Sequence, residues 1–355
     1  MARKDIVVIG ASAGGLEAVL SIAGGLPADL QASLFVVLHQ SPGWKSALPQ
    51  LLAKAGPLPA GHPADGEHIG AGRIYVAPND HHMLLEAGCV RITRGPRENR
   101  FRPAVDPLFR SAAYIYGARA VGVVLSGALD DGASGLYTLK LRGGTAIVQD
   151  PSDATVSAMP LNALQYTEAD YTVPAAAIGG LLARVVREPA PHARRLPPGE
   201  DEKTLHEIRI AQGRTEAGQD FTRFGTLTPF TCPECRGVLA RVKDGGIVRF
   251  RCHTGHAFSR QTLLGSIARD VEESLYDALR ALHEAAMHLE DLAAHFGREG
   301  DGEAAARSLA LVRASRERSR PVREAAIRSG TIDVGDAGAG SISRETRVPR
   351  AARTS

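Results

Sequence analysis

The sequence predicts a doubly wound, mostly parallel α/β sheet with helices on both faces, followed by a small cysteine-containing module and a C-terminal helical hairpin. Three observations lead to this fold class. Short β-branched runs alternate with helical stretches over residues 1–188, three of the four cysteines fall within residues 228–259, and apolar residues recur at helical spacing after residue 260. Near-continuous apolar strands separated by helices indicate a parallel sheet buried on both faces.

Six runs are strand candidates, and four stretches follow a helical pattern. The expected strands are IVVIG, ASLFVVLH, GRIYVAP, CVRIT, AVGVVLSG and GTAIVQD. The expected helices are LEAVLSIAGGL, SALPQLLAKA, PLFRSAAYIYGA and GLYTLKLR. The runs YVAP and CVRIT, joined through NDHHMLLEAG, are close enough in sequence to form an antiparallel hairpin. Such a hairpin would make the sheet mixed.

The composition is that of an ordinary globular chain. Of 355 residues, 44% are hydrophobic and 23% are charged, and the net charge is +3. This length favours more than one domain, and so small a charge argues for neither nucleic acid nor a membrane surface. No apolar run approaches the roughly 18 residues of a membrane span, so no direct membrane insertion is expected. Four cysteines do not make a disulfide framework, and a cytoplasmic, reducing compartment is expected.

The segment after the sheet domain is expected to be a linker over residues 189–227. REPAPHARRLPPGEDEK, which crosses its start, is rich in proline and charge. A helical hairpin is expected over residues 260–328. Its first helix carries apolar residues at alternating steps of four and three, the seam of a coiled coil. These residues are Leu275, Leu279, Leu282, Ala286, Leu289, Ala293 and Phe296.

A break at Gly297 to Gly302 precedes a second, arginine-rich helix over about residues 303–320. Pro321 is expected to kink or end that helix. An antiparallel helix pair within the chain is favoured over a homodimeric coiled coil. The tail over residues 329–355, which contains GDAGAGSIS, is expected to be disordered.

The opening stretch DIVVIGASAGG fits two motifs. As a dinucleotide site it keeps Gly10 and Gly15 of G-x-G-x-x-G but has Ser12 at the middle glycine. Such a site also wants an acidic residue at the end of the second strand, and FVVLHQSPG offers none. As a nucleophile turn, the same stretch fits G-x-S-x-G with Gly14 as the last glycine. The dinucleotide interpretation is therefore the weaker one.

A nucleophilic serine needs a base and an orienting carboxylate. In a parallel sheet such groups gather at the carboxyl ends of the strands. Ser12 follows the first strand, His39 follows the second, and Asp130 and Asp131 follow VGVVLSG. Singly, these are explained better as a helix cap, a surface histidine and a turn. Together they predict a Ser-His-Asp site, in a chain order that differs from that of α/β-hydrolases.

Six segments give the chain a family resemblance over about residues 4–185. They are VVIGASAGGLEA, VVLHQSPG, PADGEHIGAGRIYVAPNDHHMLL, FRPAVDPLFRSAA, VVLSGALDDGASGL and AIVQDPSDATVSAMPLNAL. The chain resembles the catalytic domain of CheB-type chemotaxis protein-glutamate methylesterases, whose segments occur in this order. The resemblance implies a serine carboxylic-ester hydrolase that acts on a methylated chemoreceptor or related sensory protein and needs no catalytic cofactor. It allows glutamine deamidation as a second activity.

Carried over by position, the family nucleophile is Ser12, the base is His39, and the orienting acid is Asp131 rather than Asp130. The family's Asp-Gly-Ala is preserved from Asp131 onward. The resemblance also implies an oxyanion site made by the backbone N–H groups of Ala13 and Ala128. There the chain departs from the family, because Ala13 stands where threonine is frequent and GAL stands for the usual Gly-Met-Gly.

The best-known members carry an N-terminal receiver domain that covers the site until it is phosphorylated. This chain begins at the catalytic strand, so we expect a methylesterase without that switch, in a pathway with a cognate methyltransferase. A non-catalytic adaptor built on a degenerate methylesterase domain is the alternative. The altered GALDDG turn favours the adaptor, and the intact triad disfavours it. A nicotinamide oxidoreductase is a third, weaker hypothesis.

Residues 228–259 predict a zinc-ribbon-like module. Cys232 and Cys235 form a C-x₂-C knuckle, and after sixteen intervening residues Cys252 and His256 form C-x₃-H. This is metal-ligand spacing, and a closed set of three thiolates and one imidazole indicates structural zinc. His253 should point away from Cys252, and reduced cysteines without metal remain an alternative. Basic residues are too few for nucleic acid, so a protein partner is expected; they are Arg241, Lys243, Arg249 and Arg251.

Overall fold

In the described part of the chain, a seven-stranded sheet lies at the centre of the first unit, and every neighbouring pair of its strands is parallel. This computed structural model describes residues 2–40, 46–191, 194, 196–214 and 220–329. Two compact units divide the chain after Leu263. The first nine strands are β1 Ile6–Ala11, β2 Ser33–Leu38, β3 Ala60–Gly61, β4 Arg73–Val76, β5 His82–Glu86, β6 Cys89–Thr93, β7 Ala120–Val124, β8 Thr145–Gln149 and β9 Tyr171–Val173.

The sheet order is β3-β4-β2-β1-β7-β8-β9. The chain therefore builds outward from β1 in one direction and from β7 in the other. The space between β1 and β7 is the switch point of the sheet, where open α/β sheets place their ligands. Residues that follow β1, β2 and β7 emerge together at this edge.

Helices cover both faces of the sheet. The helices are α1 Gly15–Gly24, α2 Leu48–Ala55, α3 Val105–Tyr116, α4 Ala133–Leu141, α5 Ala158–Tyr166 and α6 Ala175–Val185. Val7 and Ile9 of β1 pack with residues of α1, α2 and α6. Ile6 and Val8 pack with residues of α3, α4 and α5. This alternation is expected for a strand buried on both faces, and it confirms the doubly wound fold class.

The hairpin expected between YVAP and CVRIT forms with a different first strand. YVAP contributes to β4, which pairs parallel with β2. CVRIT is β6, and it pairs antiparallel with β5, whose sequence is HMLLE. Ala87 and Gly88 make the tight turn between Glu86 and Cys89, with Gly88 at φ 78°. HMLLE was expected to be part of the connection, although it is itself a run of buried side chains.

A helix forms inside the segment expected to be a linker. This helix, α7 Glu200–Ala211, has three acidic residues in its first turn, where they complement the helix dipole. One face is buried and carries Glu207, Ile208 and Ala211. The proline-rich stretch before it led the composition to favour a linker, whereas the burial of this face decides for a packed helix.

The cysteine module is a separate antiparallel sheet within the first unit. Its strands are β10 Gly225–Thr231, β11 Val238–Asp244, β12 Ile247–Cys252 and β13 Ala257–Ser259. They pair in chain order. The two segments that hold the cysteines flank the β11–β12 hairpin, as expected for a ribbon of this type.

The C-terminal helices are α8 Arg260–Arg298 and α9 Gly302–Ser329. The seven seam residues of α8 are all buried or half-buried. Ser315 Oγ donates to the Leu282 carbonyl at 2.8 Å, so the two helices contact each other within one chain. Pro321 lies inside α9 and does not end it, which extends the second helix beyond its expected end. Of the tail predicted to be disordered over residues 329–355, Ser329 ends α9 and the rest lies outside the described residues. No described helix combines the length and apolar character needed to cross a bilayer.

Candidate active site

The Ser12 turn connects β1 to α1 at the switch point. Its two glycines have different structural reasons. A Cβ on Gly10 would collide with the Val105 side chain at the start of α3, so glycine is needed for close packing. Gly14 has φ 68°, the left-handed conformation that glycine adopts without strain. The Ser12 N–H donates to the Ser126 carbonyl at 2.9 Å, which fixes the turn against the segment after β7.

His39 lies between the other two predicted residues of the site. Its Nδ1 is 3.2 Å from Ser12 Oγ, and its Nε2 is 2.9 Å from Asp131 Oδ2. An ionised carboxylate only accepts hydrogen bonds, so Nε2 carries the proton in neutral His39. The unprotonated Nδ1 then accepts the Ser12 hydroxyl. The structure thus brings the three side chains together in the order that serine nucleophiles require.

Asp131 is held by four hydrogen bonds and is only 2% exposed. Besides His39, its carboxylate accepts the Val105 N–H at 2.7 Å, the Asp106 N–H at 3.3 Å and Asn99 Nδ2 at 2.9 Å. Two of these donors are the first N–H groups of α3, a position that favours negative charge. Burial acts to raise the pKa of Asp131, but the contacts with His39 and these donors outweigh it and lower the pKa. Asp131 is therefore ionised near neutral pH.

Asp130 has a different environment from its neighbour. Its Oδ1 accepts the hydroxyl of Ser259 at 2.6 Å, and burial raises its pKa to about 6. It is Asp131 whose carboxylate meets the imidazole of His39. Spacing in the sequence did not separate these two acids, whereas their hydrogen-bond partners do.

The turn after β7 passes directly beside Ser12. A Cβ on Gly127 would lie 2.8 Å from Ser12 Cβ, so only glycine fits there. Among the described residues, the N–H groups of Ala13 and Ala128 donate to no protein acceptor. Leu129 adopts φ 63°, a left-handed conformation that favours glycine, and Asn162 Nδ2 donates to its carbonyl at 2.9 Å. The turn thus keeps a glycine-like backbone despite its leucine.

Comparisons with known proteins identify the family of the first unit. The family model described as CheB methylesterase matches residues 7–182. A putative protein-glutamate methylesterase/protein-glutamine glutaminase of Leptospira interrogans is 35% identical over 51% of this chain and 94% of its own length. The chain belongs to the CheB methylesterase family.

A solved structure gives the same result for the fold. The crystal structure of the Thermotoga maritima CheB methylesterase catalytic domain is 35% identical, with a TM-score of 0.50, over 52% of this chain and all of that one. Protein-glutamate methylesterase/protein-glutamine glutaminase 3 of Anaeromyxobacter dehalogenans is 40% identical over 52% of this chain. The match covers 55% of that relative, and this chain spans about half the length of several such relatives.

Three residues near Ser12, His39 and Asp131 were not expected from the sequence. Ser126 Oγ donates to the Ala13 carbonyl at 2.9 Å and accepts the Val156 N–H at 2.9 Å. The Phe101 ring stacks on His39 with centroids 3.7 Å apart. Asn99 is bonded to Asp131 from a turn in which it has φ 51°. Asn favours such turns, but nothing in the sequence indicates which strand end the turn meets.

An open cavity of about 430 Å³ lies over Ser12 and His39. Its apolar lining includes Leu16, Leu38 and Leu51. A larger cavity of about 760 Å³, beside Tyr114 and Arg142, contains none of the triad residues. Size alone therefore does not select the cavity beside the Ser12–His39 pair.

The cysteine cluster lies outside the CheB match. Cys232, Cys235, Cys252 and His256 each offer one ligand atom, and these atoms all lie within 4.8 Å of one another. Neighbouring ligand atoms are 3.6–3.8 Å apart. A tetrahedral Zn²⁺, with Zn–S about 2.3 Å and Zn–N about 2.0 Å, would separate its ligands by about 3.5–3.8 Å. The residues therefore fit a metal, and in the described chain His253 is not part of the cluster.

Proposed function

We propose that this chain is a protein-glutamate methylesterase that hydrolyses glutamyl γ-methyl esters on a chemoreceptor-like sensory protein. The observation that carries the proposal is the Ser12–His39–Asp131 chain, with contacts of 3.2 and 2.9 Å at the switch point of a CheB-family sheet. A buried acid, a correctly protonated imidazole and a hydroxyl beside an open cavity are the parts that acyl transfer needs.

The proposed reaction follows from the tautomer of His39, which has its proton on Nε2 and leaves Nδ1 free to accept one. His39 Nδ1 takes the Ser12 proton as Oγ attacks the ester carbonyl carbon. The N–H groups of Ala13 and Ala128 receive the developing oxyanion, a stabilisation of about 3–4 kcal/mol for a donor of this kind. As the tetrahedral intermediate collapses, the bond to the methoxy oxygen breaks, His39 protonates this leaving group to methanol, and the glutamyl group remains esterified to Ser12. Water, activated by His39 in the same way, releases the glutamate and restores Ser12.

The leaving group distinguishes the two reactions that we propose for the site. Glutamine carries an amide where the ester carries a methoxy group, so the same steps with ammonia leaving give the glutaminase reaction named for the relatives. A methyltransferase must supply the ester in the same pathway.

Arg249 and Arg251 are only 3% and 1% exposed, which leaves little of the module's basic charge for nucleic acid. Free cysteines support a reducing, cytoplasmic location.

The cysteine cluster is assigned to structural Zn²⁺. Three thiolates and one imidazole are the ligands that zinc prefers, and a set of four protein ligands leaves no position for substrate water. When bound, zinc supplies cross-linking of the two segments rather than chemistry. Catalysis itself needs no cofactor.

Methanol release from a γ-methyl-esterified receptor fragment tests the proposal. Ser12→Ala removes the nucleophile without filling the turn, so we expect less than a few per cent of the wild-type rate with an unchanged unfolding curve. A higher residual rate in the folded variant would rule out the triad.

A non-catalytic adaptor remains the second candidate, because Leu129 occupies a backbone conformation that glycine normally fills. An adaptor would bind the methylated fragment with no methanol release by the wild-type chain. The same assay therefore separates the two functions.

A further inference from the structure

One turn of the catalytic part contacts both the triad and the cysteine module. This 98–101 turn runs from Glu98 to Phe101, and the two residues exchange backbone hydrogen bonds of 3.2 and 2.9 Å. Its central residues, Asn99 and Arg100, have φ 51° and 72°. Both values are typical of a tight hairpin turn, in which side-chain directions are well defined.

On one side, the 98–101 turn supports two members of the triad. Asn99 Nδ2 donates to Asp131 Oδ1 at 2.9 Å. Phe101 stacks on the His39 ring with centroids 3.7 Å apart. The orienting acid and the base therefore both depend on the position of this turn.

On the other side, the backbone of β13 holds the turn. The Asn99 N–H donates to the Ala257 carbonyl at 2.8 Å, and the Ala257 N–H donates to the Arg97 carbonyl at 3.2 Å. Asn99 Oδ1 accepts the Ser259 N–H at 3.0 Å and the Thr262 hydroxyl at 3.3 Å. Ala257 directly follows His256, so one peptide bond joins a metal-ligand candidate to the residue that holds Asn99.

A second connection runs through Glu98. Its carboxylate pairs with Arg251 at 3.1 Å, and both side chains are 1% exposed. Arg251 directly precedes Cys252, the other ligand candidate of the second segment. The neighbours of Cys252 and of His256 thus both hold the first half of the same short turn, Arg251 at Glu98 and Ala257 at Asn99.

We propose that metal ligation in the module positions the catalytic acid and base through the 98–101 turn, with Asn99 as a positioning residue. The proposal rests on the esterase function given above. Ligation fixes Cys252 and His256 relative to each other, and with them Arg251 and Ala257. Without it, Ala257 keeps only its backbone pairing with β12, so Asn99, one of the four donors to Asp131, is held less firmly.

The test uses the full chain with the metal ligand changed. Cys235→Ser removes one ligand, and Cys89→Ser is the matched control outside the cluster. We expect Cys235→Ser to lose bound zinc and to exchange the amide hydrogens of residues 97–101 faster. We also expect it to react with a fluorophosphonate at Ser12 at least about tenfold more slowly, because the loss of a residue that supports an active group usually costs about tenfold or more. Cys89→Ser should match the wild type in all three.

Thr262 offers a second, milder pair that does not touch the metal. Thr262→Val keeps the shape but removes the hydroxyl that contacts Asn99 at 3.3 Å and accepts the Ser259 N–H at 2.7 Å, whereas Thr262→Ser retains it. We expect slower phosphonylation and an unchanged KM for the methyl ester in the valine variant, with recovery in the serine variant. The two Thr262 variants test the proposal if Cys235→Ser does not fold.

The proposal would be overturned if metal-free Cys235→Ser matched Cys89→Ser both in amide hydrogen exchange and in its reaction with the fluorophosphonate. It would also be overturned if Thr262→Val reacted with the fluorophosphonate like Thr262→Ser. A wild-type chain that the fluorophosphonate does not label would refute the esterase function instead. Hydrogen exchange would then still decide the coupling, because faster exchange on zinc loss supports it and equal exchange refutes it.

Discussion

His39 approaches Ser12 through Nδ1 and Asp131 through Nε2, and Phe101 covers one face of its ring. The imidazole is therefore fixed by a hydrogen bond at each nitrogen and by stacking. Of these contacts, the sequence indicated the two that involve strand-end residues, because parallel strands place their carboxyl ends together. The stacking of Phe101 on His39 could not be predicted from the sequence, because the position of Phe101 depends on a turn between distant elements.

Asp131→Asn tests the assigned role of the acid. An amide at this position can donate to Nε2, which would favour the tautomer that cannot take the Ser12 proton. We expect a loss of about 10⁴-fold in kcat with little change in KM. Asp130→Asn keeps an oxygen for Ser259 and should stay within a few-fold of wild type in the same steady-state assay. Comparable losses in both variants would contradict the choice of Asp131.

Asp106 gives the fold a pH dependence of its own. Burial, with the nearby charge of Asp131, raises the pKa of Asp106 to about 8 from an ordinary 3.8. Between these values the folded chain holds a proton that the unfolded chain has released, so this group makes stability fall as pH rises toward about 8. Denaturant unfolding from pH 5 to 9 should show this fall, and Asp106→Asn should flatten it. An equally steep curve in the variant would contradict the assignment.

At the scale of elements, the strands and helices with a clear apolar period were the easiest to predict. The hairpin of β5 and β6 was assigned to the wrong partner, because HMLLE is a buried run next to the equally apolar YVAP. Helix α7 was missed, because its inward face carries a charged residue, Glu207, where an apolar one would have shown the period. Only the partners of Glu207 explain why it is buried.

Glu207 on α7 pairs with Arg249 at 2.9 Å and also contacts Arg251, and all three side chains are buried. Removing one partner leaves buried charge uncompensated, which costs about 3–5 kcal/mol. Glu207→Ala should therefore lower the free energy of unfolding by about that amount in a denaturant titration. Glu202→Ala on the same helix, whose pair with Arg223 is exposed, should change it by less than about 1 kcal/mol. Similar effects of the two substitutions would show that the cluster does not hold α7.

At the scale of the whole chain, the first unit extends to Leu263 and contains the catalytic sheet, α7 and the cysteine module together. Composition had favoured a linker between the sheet and the module, since proline and charge usually mark one. Buried ion pairs and a backbone ladder at Ala257 join them instead, and neither has a local signature in the sequence. The cysteine spacing, by contrast, was sufficient to predict the cluster, because metal geometry restricts ligand spacing within short segments.

The most direct measurement of the account is the site and extent of labelling by a fluorophosphonate, mapped by mass spectrometry on the full chain. We predict one adduct per chain, on Ser12, lost in Ser12→Ala and strongly slowed in folded His39→Ala. Absence of an adduct in the wild type, or an adduct that persists in Ser12→Ala, would contradict the claim that Ser12 is the nucleophile at the switch point.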